Sequence, residues 1–148
     1  MQEPKERTMK KILIMEDDTK IAAALAIRLS AAGYEVLTAP DGVQGMHLAV
    51  KDRPDLLLMD IWMPVGLGFS VAQRLADLGL GGVPIIFITA SKLKGLREAA
   101  RRCGAVAFFE KPYDPEKLLQ AVSQAIRLRH APACEMMIHV HDEQTLAA

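Results

Sequence analysis

Four apolar runs of strand length each end in a side chain that could do chemistry. Residues 12–15 run directly into Glu16, Asp17 and Asp18, residues 56–59 into Asp60, residues 83–88 into Thr89, and residues 106–109 are followed closely by Lys111. Carboxylates gathered at one place repel one another and raise each other's pKa unless a cation relieves them. Oxygen ligands of this kind select a hard divalent ion such as Mg²⁺, which keeps several waters and engages a phosphate. A phosphoryl group entering the site needs its charge neutralised. Mg²⁺, the Lys111 ammonium and the Thr89 hydroxyl are suited to hold three different oxygens. Asp60 is the natural nucleophile, because a carboxylate can take a phosphoryl group directly as an acyl phosphate. Its place after a wholly apolar run puts a charge at the mouth of a buried strand, which is costly unless something pairs with it.

These residues act together only if the fold collects them. Apolar runs alternate with segments of helical period, the pattern of an α/β protein with a parallel sheet covered by helices. Such sheets bind ligands at the carboxyl ends of their strands. Five units can be counted. A first buried strand spans 12–15, followed by a helix through Ile21, Leu25, Ala26 and Leu29 that stops at Gly33. Residues 35–39 form an edge strand, and Pro40-Asp41-Gly42 turns into a helix ending before Pro54. Strand 56–59 leads to a helix over about 69–78, and the glycines at 79, 81 and 82 return the chain to strand 83–89. A helix over about 93–103, strand 106–109 and a last helix opening at Pro115 and reaching about Arg129 complete the set.

At 148 residues the chain fits one domain. It is 51% hydrophobic and 24% charged, a folded and not a disordered composition. Eighteen basic and eighteen acidic residues cancel, so no bulk field favours nucleic acid or an anionic membrane. Cys103 and Cys134 make no disulfide framework or zinc pattern, and a reducing cytoplasm is the expected location. The apolar run at 12–15 is too short for a signal peptide, and no run is long enough to cross a bilayer.

The segments Ile12-Leu13-Ile14-Met15-Glu16-Asp17-Asp18, residues 55–60 followed by Ile61-Trp62-Met63-Pro64, Phe87-Ile88-Thr89-Ala90 and Lys111-Pro112-Tyr113 strongly resemble those of response-regulator receivers. The resemblance covers residues 11–129. It implies a flavodoxin-like (βα)5 doubly wound sheet of five strands in the order 2-1-3-4-5. It makes Asp60 the phosphoacceptor, and Glu16, Asp17, Asp60 and the Trp62 backbone carbonyl the ligands of Mg²⁺. Thr89, Ala90 and Lys111 would meet the phosphoryl group, and Phe108 would be the aromatic whose rotamer reports activation. A cis Lys111-Pro112 bond is expected. The implied partners are a sensor histidine kinase or histidine phosphotransfer protein and a downstream protein target, with a homodimer left open. The reading is a stand-alone receiver of the chemotaxis type that alters protein contacts and turns over no substrate. No DNA-binding motif follows the receiver, so no direct nucleic-acid contact is expected. Two features depart from the family pattern: Leu67 stands before Gly68 where an acid is common, and Trp62 is bulky where the family often has a smaller or polar group.

Each element alone has a plainer explanation. Acids after a strand commonly begin a helix, and Asp18 reads best as a cap. Thr89 and Ser91 could be caps, Lys111-Pro112 a turn, and Phe108 simple packing. All four elements in order make coincidence improbable. A phosphorylation-independent scaffold of the same fold is the first alternative, opposed by the intact acidic pair, Asp60, Thr89 and Lys111. A Mg²⁺-dependent aspartyl-phosphate phosphatase generally wants a second Asp near the nucleophile, and Ile61-Trp62 offers none. A flavin-type cofactor binder would meet carboxylates where a hydroxyl-rich phosphate loop is needed. The basic run Lys92, Lys94, Arg97, Arg101 and Arg102 reads as a solvated face. The domain is expected over 9–130, and 131–148 as a tail whose apolar stretch, Met136 to Val140, could dock on the domain or on a second copy. His139, His141 and Cys134 in that tail match no zinc spacing.

Overall fold

Five strands pair in parallel in the order β2-β1-β3-β4-β5: β1 Lys11–Met15, β2 Glu35–Ala39, β3 Leu56–Asp60, β4 Ile85–Thr89 and β5 Ala107–Glu110. The structure is a computed structural model that describes residues 9–62 and 68–129. Helices α1 Thr19–Ala31, α2 Gly42–Asp52, α3 Gly68–Leu75, α4 Leu96–Arg102 and α5 Pro115–Arg129 connect the strands. This is the flavodoxin-like arrangement, and β2 sits at the edge as its weaker apolar pattern requires.

The central strands read as unbroken apolar runs because both of their faces are covered. Alternate residues serve opposite layers. Ile12, Ile14, Leu56 and Leu58 pack with Leu25 and Leu29 of α1 and with Leu118 and Val122 of α5. Leu13, Met15, Leu57, Met59 and Phe87 pack with Ala49 of α2, Val71 and Leu75 of α3 and Ala100 of α4. Burying such a side chain contributes about 1.5–3 kcal/mol, so the two layers carry most of the driving force.

Helix starts follow side-chain capping. The Asp18 carboxylate accepts from the amides of Lys20 and Ile21 at 2.9 and 3.1 Å, the cap role expected of it. Asp41 does the same for α2 through the amide of Gln44 at 2.8 Å. Asp18→Ala is expected to cost about 1 kcal/mol, read as a lower urea midpoint at unchanged slope. A midpoint equal to that of the native chain would deny the cap its role.

Several boundaries differ from the sequence reading. Helix α4 starts at Leu96, because Gly95 adopts φ 87° and breaks the helical path, leaving Leu93 63% exposed. Helix α3 ends at Leu75 and gives way to a wider π-type turn, Ala76–Leu80, in which Gly79 is left-handed. Strand β4 starts at Ile85, since the amide of Val83 turns back to the Leu80 carbonyl and Pro84 has no amide to give. Strand β3 reaches Asp60 and β5 reaches Glu110, one residue beyond the expected ends.

At the amino ends of the strands, Asp55 makes a second charged cluster. Its Oδ2 accepts from the Lys11 amide at 2.7 Å, and its Oδ1 lies 3.6 Å from Arg129 Nη1. The same guanidinium donates to the Pro54 carbonyl at 3.2 Å, which fastens the last turn of α5 to the foot of β3.

Candidate functional site

Register brings the acids together. Met15 pairs with Met59 across β1 and β3, so the next residue on each strand, Glu16 and Asp60, emerges on the same rim. Carboxylate oxygens of Glu16, Asp17 and Asp60 lie within 4.8 Å of one another. Glu16 is 5% exposed and Asp17 stands open to solvent. Lys111 Nζ donates to Glu16 Oε2 at 3.2 Å and lies 3.7 Å from Asp60 Oδ2. Backbone amides hold the other oxygens: Asp18 donates to Glu16 Oε1 and Trp62 to Asp60 Oδ1, both at 3.1 Å.

Burial pushes the Glu16 carboxyl above its ordinary range. The Asp18 amide opposes this, the Asp60 charge adds to it, and Lys111 pulls it back. Three carboxylates facing one ammonium leave the pocket negative, with oxygen donors only. That donor set fits a hard divalent cation such as Mg²⁺ and suits no soft metal.

The remaining candidates surround this cluster. Asp60 pairs with Ile88 across β3 and β4, which places Thr89 one residue further along the same rim. Thr89 is fully buried, and its Oγ1 accepts from the Ser91 amide at 3.1 Å. Exposed Ala90 follows it. The Lys111 amide donates to the Thr89 carbonyl at 2.8 Å, which holds the backbone of Lys111 against the end of β4. The Lys111-Pro112 bond is cis, as expected. Phe108 is 1% exposed, opposite Phe87 in the β4–β5 register, with the Arg97 guanidinium carbon 5.0 Å from its ring centre. Trp62 is 47% exposed beside Asp60.

Gly68 shows why a side chain is excluded from the start of α3. A Cβ there would stand 2.7 Å from the Asp60 carbonyl oxygen, with Ile61 Cα and the Phe87 ring edge at 3.1 Å. Its amide donates to the Ile61 carbonyl at 2.8 Å, which clamps the helix start onto the end of β3. The loop reading at Val65, Gly66 and Leu67 lies outside the described residues, as do the tail histidines and Cys134.

Sequence reasoning missed one feature beside the site. Lys92 Nζ donates to Glu110 Oε2 at 3.2 Å and to the Lys111 carbonyl at 3.0 Å, tying the loop after β4 to the end of β5. The signal was a lysine shortly after one strand and a glutamate ending its neighbour. The basic run is thus less free than a solvated face implies, since Arg101 and Arg102 also lie 3.6 Å from Glu98. Among the described residues, no helix is long and apolar enough to cross a membrane.

Comparison with known proteins bears on this pocket. The chain is 37% identical over 125 residues to RpaA of Synechocystis sp., described as a DNA-binding dual master transcriptional regulator; the match covers 80% of the chain and 50% of RpaA. The transcriptional regulatory protein PdtaR of Mycobacterium tuberculosis is 36% identical over 128 residues, covering 85% of the chain and 62% of PdtaR. The chain therefore spans about half to three-fifths of the length of these curated relatives. Chemotaxis response regulator CheY4 of Vibrio cholerae superposes with a TM-score of 0.73 at 31% identity, over 80% of this chain and 99% of CheY4. A CheY-like receiver domain protein from Methanospirillum hungatei gives 0.77 at 27% identity, over 82% and 97%. The family model for the response regulator receiver domain matches residues 12–123, a span that begins in β1, ends in α5 and includes every carboxylate of the pocket. The chain belongs to the response regulator receiver family of two-component systems.

Proposed function

We propose that this receiver takes a phosphoryl group on Asp60 from the phosphohistidine of a sensor histidine kinase or a histidine phosphotransfer protein. An Asp60 carboxylate oxygen forms a bond to phosphorus as the phosphorus–nitrogen bond to the donor imidazole breaks. The electron pair of that bond stays with the imidazole. Glu16, Asp17, Asp60 and the Trp62 carbonyl would hold Mg²⁺, which supplies charge neutralisation for the transferred oxygens. Lys111 pairs with a second oxygen, and the Thr89 hydroxyl and Ala90 amide donate to a third. Phe108 then shifts with Thr89 and alters the surface that a protein target reads. The chain promotes its own phosphorylation and dephosphorylation only. We place it in the cytoplasm, with residues 9–130 as the receiver unit, 131–148 as an appended tail, and protein contact as the output of this stretch of chain.

The observation that carries the reading is the meeting of three carboxylates within 4.8 Å with an ammonium 3.2 Å from one of them. It is tested by incubation with acetyl phosphate and Mg²⁺. One hydroxylamine-labile phosphoryl group per chain is expected, blocked by EDTA. An unmodified mass, or a modification indifferent to EDTA, would overturn it.

Trp62 provides a separate prediction. Trp62 is exposed two residues after the acceptor, and a ring of that size there would restrict the approach of water to the acyl phosphate. Trp62→Asn is expected to shorten the phosphoryl lifetime roughly threefold to tenfold, or about 0.7–1.4 kcal/mol of barrier. An unchanged or longer half-life, followed by mass after removal of the donor, counts against shielding.

A further inference from the structure

A groove of about 240 Å³ lies at the pole opposite the acidic pocket, floored by Val83, Pro84, Val106, Ala125 and Leu128. Glycines occupy its walls at 81, 82 and 104, so no side chain projects from those three positions, and a Cβ added at Gly82 or Gly104 would meet nothing within 4 Å. The space exceeds the ~150 Å³ that admits a benzene ring in an apolar cavity. Arg129, the last described residue of α5, is itself part of the lining. The last described turn of α5 thus lies at the rim of an apolar groove.

The residues after α5 suit that groove. Met136, Met137, Ile138 and Val140 form an apolar stretch beginning seven residues after Arg129, a span of up to ~23 Å when extended. Beyond Arg129 the chain has no lysine or arginine, and its acids are Glu135, Asp142 and Glu143. Arg129 is the charged residue of the lining, and its guanidinium already meets Asp55 and the Pro54 carbonyl, so the groove offers the segment an apolar surface. Length and apolar content agree.

We propose that residues 136–140 of the same chain dock in this groove, with Ile138 and the two methionines before it on the floor. The glycine walls allow the backbone of the docked segment to approach closely. The acceptor pocket takes no part in this contact, so the proposal stands independently of phosphorylation.

Hydrogen exchange on the full chain tests it. Amides 136–140 are expected to exchange at least tenfold more slowly in the native chain than in Ile138→Asp. Exchange at Val83 and Val106 should rise in that variant, because their amides lie beneath the docked segment. Gly82→Glu places a charge in open space in the groove and is expected to release residues 136–140 in the same way. Unprotected amides in the native chain would overturn the proposal. Protection that survives Gly82→Glu places the segment elsewhere and overturns it equally. Protection lost on hundredfold dilution assigns the contact to a second copy and overturns docking within the chain.

Discussion

Asp60→Asn is expected to abolish phosphoryl incorporation from acetyl phosphate and to remove most of the stabilisation that Mg²⁺ confers. A carboxamide oxygen has no full charge to offer phosphorus, so the acceptor chemistry ends with this one change. The side chain keeps its shape and can still accept from the Trp62 amide, so the fold should persist. Native chain saturated to 100 times its dissociation constant with Mg²⁺ gains about 2.7 kcal/mol by mass action. Without the Asp60 carboxylate the metal keeps only Glu16 and Asp17 of the acidic set, and the gain should fall to under about 1 kcal/mol at the same concentration. Intact-mass measurement and thermal unfolding with and without Mg²⁺ read the two effects separately. Incorporation that continues in the variant would move the acceptor elsewhere.

Phe87→Ala carries the largest expected loss of stability, about 3–5 kcal/mol, from a lost ring and the cavity it leaves. Phe87 is fully buried in β4 and meets Phe69 edge-on with ring centres 5.1 Å apart. Its ring edge also backs the close approach of Gly68 to Asp60. The loss is a large share of the 5–15 kcal/mol usual for a domain, so urea unfolding should shift strongly toward lower denaturant. Val43→Ala, at a position 60% exposed, provides the control and should stay within about 0.5 kcal/mol. A Phe87→Ala cost below about 1 kcal/mol would mean that the core around the site collapses to fill the space.

The strands were legible because a sheet covered on both faces needs unbroken apolar runs, and 12–15 and 56–59 have that form. The acidic pocket followed from the same logic, since each run ends in a group too polar to stay buried alone. Boundaries were less legible where a single backbone angle decides them. Leu93 and Leu96 share a helical spacing, but the left-handed Gly95 between them admits only Leu96 to α4. The Asp55 cluster escaped notice although the argument applied to Asp60 reaches it: an acid bordering a buried strand must find a partner. That partner, Arg129, lies in the last helix, and pattern alone does not pair residues so far apart. The Lys92 contact to Glu110 depends on the relative height of two loops, which periodicity does not encode.

Strand β3 lies between two acids with different fates. Asp55 just before it meets a guanidinium and a backbone amide of the fold itself, whereas Asp60 at its far end, besides the Trp62 amide, faces one ammonium and two further carboxylates. Five residues at ~3.3 Å each separate the two, about twice the ~8 Å screening length of physiological salt. A change of charge at the upper end therefore reaches the lower end weakly, and the strand resembles a beam bolted at its base with its load applied at the tip. Displacement should grow with height along β3, β4 and β5, so that the loops beside Thr89 and Lys111 move while the junction of Lys11, Pro54 and Arg129 keeps still.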